Sequence, residues 1–170
     1  MTKYKDIDLY KQMYLQKRGY GASGGIYCKF FDKFIKSHTD IKTILDFGCG
    51  EGELAKGLSF DIDEYDPAIE GQETISKQQY DLVITTDVLE HIHTDQIGLL
   101  LDDIIDLKPK YFVNAISTVK AINILPDGTN AHKTIENAAW WKNTIENHTG
   151  YKTRILIEAK NTSILCSYKD

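Results

Sequence analysis

Apolar positions along this chain alternate between two spacings, short continuous runs that fit buried strands and longer stretches with one apolar face that fit helices. The pattern predicts a helix over 6–18 and a second over 25–37, where Ile26, Tyr27, Phe30, Phe31, Phe34 and Ile35 repeat at helical spacing. Between them runs Gly19-Tyr20-Gly21-Ala22-Ser23-Gly24-Gly25, a loop whose glycines permit tight backbone approach or serve as a flexible turn. From residue 42 the pattern predicts a strand over 43–47, a short helix over 53–58, and strands over 60–65 and 81–85. A helix over 94–107, a strand over 111–116 and a helix over 135–148 stopped by Gly150 follow. Strands over 152–158 and 163–168 close the chain, joined by a tight turn near Lys160 and Asn161. Strands alternating with helices imply an α/β fold, a mostly parallel sheet with helices on both faces; the last two strands are expected to form an antiparallel hairpin at one edge.

At 170 residues without repeats or a low-complexity linker, one domain is expected, with N-terminal helices over 1–41 and a core over 42–170. No apolar run approaches the roughly 20 residues that span a bilayer, and the first ten residues are polar, so a cytoplasmic protein without membrane association is expected. Cys28, Cys49 and Cys166 lack CxxC spacing and read as free thiols. The net charge of -5 hides a segregation: residues 1–45 carry nine Lys/Arg against four Asp/Glu, 46–107 two against sixteen, and 108–170 nine against five. An acidic middle lacks the continuous basic stripe that coats duplex DNA, and leaves RNA or a small molecule as partners.

The candidate chemistry begins at "ILDFGCGEG", residues 44–52, where a strand runs into Gly48, Gly50 and Gly52 and then a helix. Such a turn brings backbone N–H groups against a ligand at the carboxyl end of the first strand of an open α/β sheet. A nicotinamide dinucleotide and a sulfonium nucleotide both bind there. The dinucleotide fingerprint requires glycine where Glu53 stands, and Glu51 and Glu53 would repel a pyrophosphate, whereas a cationic ligand tolerates them. A second cluster is Asp87-Val88-Leu89-Glu90-His91: a helical turn starting at Asp87 would put both carboxylates and the imidazole on one face. That trio suits a divalent metal such as Mg²⁺ completed by His132 from the polar loop 125–134, or else it caps the helix and closes the pocket. His132 alone fits a general base, a metal ligand or a turn residue, and His93 is a substitute ligand. Trp141 reads as core and Trp140 as a wall of a substrate site or as edge packing.

Three of these stretches, in order, resemble the class I S-adenosylmethionine-dependent methyltransferases: "LDFGCGEG" (45–52), "EYDP" (64–67) and "YDLVITTDVLEHI" (80–92). The resemblance implies a Rossmann-like sheet and S-adenosylmethionine as cofactor. It places Asp46 toward the methionine ammonium, Gly48, Cys49 and Gly50 along the cofactor, Asp66 on the ribose hydroxyls, and the segment 68–79 with Thr86 and Asp87 on the adenine side. Only 14 residues separate Asp66 from Asp81, so the family's third strand is expected to be missing. The D-x-x-E-H segment is similar to that of metal-dependent O-methyltransferases of the ubiquinone-biosynthesis and small-RNA 3'-end types, with Asp87 where those have Glu. The resemblance then implies O-methylation of a small hydroxylated acceptor such as a sugar. Catalysis would fall to His132, His91 and Glu90, with Asp87, Glu90, His91 and His132 around the metal. The Asn/Asp-Pro-Pro-aromatic signature of DNA amino-methyltransferases is replaced by Thr85-Thr86-Asp87-Val88, which disfavours DNA methylation. The alternatives are a non-catalytic S-adenosylmethionine-binding module, an RNA-end methyltransferase and an NAD-dependent oxidoreductase.

Overall fold

A computed structural model describes residues 3–16 and 19–169. Helix α1 (Ile7–Gln16) leads to a 3₁₀ turn (Ser23–Tyr27) that runs into α2 (Cys28–Ser37); the expected end of the first helix at 17–18 lies outside the described residues. Then come β1 (Ile44–Phe47), α3 (Glu53–Gly57), β2 (Asp63–Tyr65), β3 (Leu82–Thr86), α4 (Ile97–Asp106), β4 (Tyr111–Ser117), α5 (Ala138–Thr149), β5 (Lys152–Glu158) and β6 (Thr162–Tyr168). They build one six-stranded sheet in the order β2-β1-β3-β4-β6-β5. The first four strands are parallel and β6 runs antiparallel between β4 and β5, so the expected edge hairpin is present. Among the described residues no helix is long and apolar enough to cross a membrane.

Period-2 alternation on strands buried from both sides explains the two cores. Leu45, Phe47, Val83, Phe112 and Leu165 face α4 and α5 together with Tyr10 and Met13 of α1, while Ile44, Leu82, Ile84, Val113 and Ile164 face Phe31, Phe34 and Ile35 of α2. Helix α5 starts later than expected because the Asn137 side chain accepts the Trp140 N–H (2.9 Å), an N-cap that fixes the first turn, and it ends at Gly150 in the left-handed region (φ 70°). Strand β2 is shorter than the predicted 60–65, since only Asp63 to Tyr65 find partners on the four-residue β1. No strand follows it before β3. The segment between them is held by local turns, with Tyr80 donating to Asp63 Oδ2 (2.7 Å) and Ala68 and Tyr80 buried, so β2 is an edge where the family has a further strand.

The glycine turn after β1 is fixed from three sides. Tyr65 O accepts Gly48 N–H (2.7 Å) and Cys49 N–H (3.1 Å) from β2, and Asp66 Oδ2 accepts Gly50 N–H (3.1 Å). From above, Gly21 O accepts Glu51 N–H (3.3 Å), so the loop 19–25 lies backbone to backbone on the turn. At Gly50 (φ 56°) a Cβ would collide with the Gly21 carbonyl oxygen, which is why this position has no side chain. Behind the turn, Asp46 and Glu64 stand opposite each other in the β1–β2 register, and both Asp46 oxygens and Glu64 Oε1 are buried without a hydrogen-bond partner.

Two expectations follow. Burial, reinforced by the charges of Glu64 and Asp66, lifts the Asp46 carboxyl from 3.8 to about 8. The folded chain therefore keeps a proton that the unfolded chain releases near its ordinary value, and between about pH 4 and 8 stability falls as pH rises. Asp46→Asn should flatten that fall and raise the melting temperature at pH 8 by at least about 3 °C, the shift that about 1 kcal/mol produces in a chain of this size. Parallel melting curves at pH 5 and pH 8 that kept the wild-type slope would refute the protonated assignment. Gly50→Ala, which strains φ and pushes the Gly21 loop away, should cost about 1–3 kcal/mol in urea denaturation. A wild-type midpoint would show that the backbone contact is dispensable.

Candidate functional site

The carboxyl ends of β1, β2 and β3 open into a cavity of about 460 Å³, closed on the far side by α1 and the loop 19–25. Of the residues expected to bind cofactor, Gly48, Gly50, Asp66, Thr86 and Asp87 line it. Asp66 is buried yet reaches the cavity, accepting Ala68 N–H at Oδ1 (2.8 Å) and Gly50 N–H and the Tyr14 hydroxyl at Oδ2 (both 3.1 Å). Burial is the dominant influence on its carboxyl and pushes the pKa up, while the two N–H groups and Tyr14 pull it down. At Gly48 (φ 83°) a Cβ would stand 2.5 Å from Val88 Cγ2, so the turn and the β3 end can meet only over a glycine.

Two expected cofactor contacts are not brought there. Along β1 the side chains alternate, and with Phe47 lining the cavity Asp46 points to the other face of the sheet, behind the glycine turn. The Cys49 side chain also turns away, its Sγ donating to Gln72 Oε1 (3.0 Å), and burial pushes the thiol pKa up.

The D-x-x-E-H segment departs from the expected helical face. Asp87 takes a left-handed backbone (φ 53°), an unusual conformation for a residue with a side chain, and only Leu89 to His91 form a 3₁₀ turn. Glu90 is fully buried: its Oε1 accepts Ser117 N–H, and its carbonyl accepts Lys133 N–H (2.7 Å) and Thr134 N–H (3.0 Å). Burial first, then the charge of Asp87, holds its pKa well above the usual carboxyl range. Glu90 thus fastens the end of β4 and the loop 118–134 to the β3 end and does not line the cavity. Among the described residues no three His, Cys, Asp or Glu side chains are grouped to hold a metal ion, which corrects the expected set of Asp87, Glu90, His91 and His132.

Two members of that set do meet. The rings of His91 and His132 pack edge to face with centroids 4.8 Å apart, and both line the cavity. A carbonyl oxygen only accepts, so His91 Nδ1–H donates to Ala131 O (3.0 Å) and His132 Nδ1–H to Val119 O (2.6 Å). In the neutral rings each Nε2 is then an acceptor. Burial and the neighbouring His132 push His91 down to about 3, so it is neutral at physiological pH. His93 is engaged elsewhere, on Asp6 Oδ2 (2.8 Å), and Trp140 packs edge to face on the buried Trp141 and does not line the cavity.

Residues that the pattern did not single out complete the walls. Tyr10 of α1 donates to Ala131 O (2.9 Å) and His91 O (3.1 Å), the carbonyls that flank the histidine pair, and Tyr14 reaches Asp66. Tyr20 stacks edge on against Tyr14 (5.2 Å between centroids), and burial pushes the pKa of all three phenols up, so they are neutral donors. For Tyr10 and Tyr14 the signal was the i, i+3, i+7 spacing with Ile7, which reads equally as core.

A glycine cradle at the end of β1, a carboxylate at the end of β2 and an apolar floor of Phe47 and Ala68 suit a nucleoside bearing vicinal hydroxyls. The fold agrees with known methyltransferase structures. The methyltransferase domain of bacterial CtHen1 has a TM-score of 0.60 at 15% identity, covering 84% of this chain and 97% of that one. DhpI in complex with SAM and HEP scores 0.66 at 12% identity over 99% of this chain and all of that one. The 1,6-didemethyltoxoflavin N1-methyltransferase of Burkholderia thailandensis, with bound 1,6-didemethyltoxoflavin and S-adenosylhomocysteine, scores 0.62 at 12% identity over 95% of this chain and 88% of that one. At such identities these likenesses speak for the fold. No curated protein matches the chain in sequence. The family model described as a methyltransferase domain matches residues 20–141, most of the sheet and all of the cavity's glycine turn, and the chain therefore belongs to the S-adenosylmethionine-dependent class I methyltransferases.

Proposed function

We propose that this methyltransferase acts on a hydroxyl of a small molecule, a sugar being the fitting class, with His132 as the general base. The observation that carries the reading is the histidine pair at the cavity, each Nδ1–H spent on a backbone carbonyl so that each Nε2 is an acceptor. S-adenosylmethionine, when bound, supplies an electrophilic methyl group on a sulfonium that is already a good leaving group. The protein has then to hold the acceptor oxygen in line with that methyl and remove its proton. Asp66 would hold the ribose, the Gly48 to Gly50 turn would run along the rest of the cofactor, and Thr86 and Asp87 would close the cavity beside it. His132 Nε2 would take the hydroxyl proton. His91, neutral and fixed by Ala131 O, would orient the His132 ring and accept a second hydrogen bond from the acceptor.

Two measurements test the assignment. In calorimetric titration S-adenosylhomocysteine should bind saturably while NADH does not. Asp66→Ala should weaken S-adenosylhomocysteine about 10–100-fold, the worth of hydrogen bonds to a charged acceptor; unchanged affinity would remove Asp66 from the ribose. With an acceptor found in a panel of hydroxylated compounds, His132→Ala should lower kcat by about 10²–10⁴-fold while leaving S-adenosylhomocysteine binding intact. Methyl transfer at the wild-type rate would dismiss His132 as base, and failure of every acceptor in the panel with cofactor bound would favour a non-catalytic binding module.

A further inference from the structure

Asp66 already accepts three hydrogen bonds within the protein, Ala68 N–H on Oδ1 and Gly50 N–H with the Tyr14 hydroxyl on Oδ2. An ionised carboxylate offers about four lone-pair positions, so about one is left. The vicinal hydroxyls of a ribose donate two hydrogen bonds. One of the present donors must give way, and they differ in how firmly they are held. Gly50 N–H belongs to a turn locked by Tyr65 O and Gly21 O, and Ala68 N–H to a turn closed by the Ile69 N–H to Asp66 O bond (3.2 Å). Tyr14 belongs to α1, whose other polar anchors among the described residues lie nearer its start: Asp6, just before the helix, on His93 and Lys133, and Tyr10 on Ala131 O and His91 O. Its ring lies against the loop 19–25, so close that a Cβ on Gly21 (φ 79°) would stand 2.5 Å from Tyr14 Cε1.

We propose that the Tyr14 hydroxyl competes with the ribose for Asp66 Oδ2, so that Tyr14 is the residue that sets how tightly cofactor and product are held. The inference rests on the reading of Asp66 as the ribose carboxylate. The second half of α1 acts as a strap: its first half stays pinned to the histidine loop while the Tyr14 hydroxyl leaves Asp66 to admit the second ribose hydroxyl. Each binding event forfeits one protein hydrogen bond, which lowers affinity and speeds release of the product after methyl transfer.

The test compares S-adenosylhomocysteine with its 2'-deoxy analogue, which keeps one of the two hydroxyls and so needs no displacement. Tyr14→Phe keeps the ring against Gly21 and Tyr20 and removes only the competing donor. It should bind S-adenosylhomocysteine about fivefold more tightly than wild type, the worth of one net hydrogen bond, and should change the 2'-deoxy analogue by less than about twofold. A residue that merely positioned Asp66 would weaken both ligands on losing its hydroxyl. Equal or weaker binding of S-adenosylhomocysteine by Tyr14→Phe overturns the competition, as does an equal gain for the two ligands. Asp66→Asn separates the two failures: a wild-type affinity in that variant overturns the ribose reading itself, whereas a weakened Asp66→Asn beside an unimproved Tyr14→Phe overturns the competition alone. Melting temperatures of both variants, measured alongside, confirm that each is folded.

Discussion

The close approach of two backbones, the glycine turn at 48–52 and the loop 19–25, is the constraint on which the cavity depends. A parallel strand pair alone would leave the N–H groups of such a turn aimed at water. Here Tyr65 O takes two of them from β2, Asp66 takes a third and Gly21 O takes the next, so the turn has one conformation before any ligand is considered. Because Gly21 and Gly50 meet without side chains, the loop 19–25 becomes a roof and α1, which precedes it, becomes a wall. Helix α1 and the loop 19–25 are therefore part of the cavity by geometry. Their polar links, Tyr10 to the histidine loop and Tyr14 to Asp66, tie that wall to both ends of the cavity.

Most of the sheet was legible because its signals are local and redundant. Runs at 43–47, 81–85 and 111–116 are buried on both faces and read as parallel strands, and Gly150 marks the end of α5 by a left-handed cap that few residues other than glycine take without cost. The shortfall after Asp66 correctly predicted a missing strand, since about 14 residues suffice for the single return from β2 to β3 and leave no room for a further strand with its own crossover. Strand β2 was overextended because Phe60 and Ile62 are apolar for packing on α2's side of the sheet and not for pairing.

The site was less legible, for reasons that differ between residues. That Gly48, Gly50 and Asp66 line the cavity was legible because a turn at a strand end demands those residue types. Asp46 was misdirected because period 2 assigns it the face opposite Phe47 without saying which face holds the cavity. The D-x-x-E-H trio failed because it assumes a helix from Asp87, and the left-handed backbone there is imposed by the surroundings, Asp87 N–H reaching Ala115 O (2.9 Å), against the residue's own preference. The tyrosines of α1 were hidden because an aromatic stripe at helical spacing looks the same whether it faces a core or a cavity.

Electrostatics bears on which class of nucleotide the acidic middle of the chain suits. Asp46, Glu64 and Asp66 surround the glycine turn, and three of their oxygens are buried without a hydrogen-bond donor. Even with Asp46 protonated, the field behind the turn is set by carboxylates whose charge is poorly screened by water. A pyrophosphate brought to that turn would meet like charge at short range, and the partial positive charge of the five-residue α3, whose first-turn Glu53 is paired with Lys56 (2.7 Å), is a weak counterweight. A ligand that presents a sulfonium and an ammonium meets opposite charge along the same path. Since methyl transfer removes the sulfonium's charge, such a field would favour the methyl donor over the demethylated product.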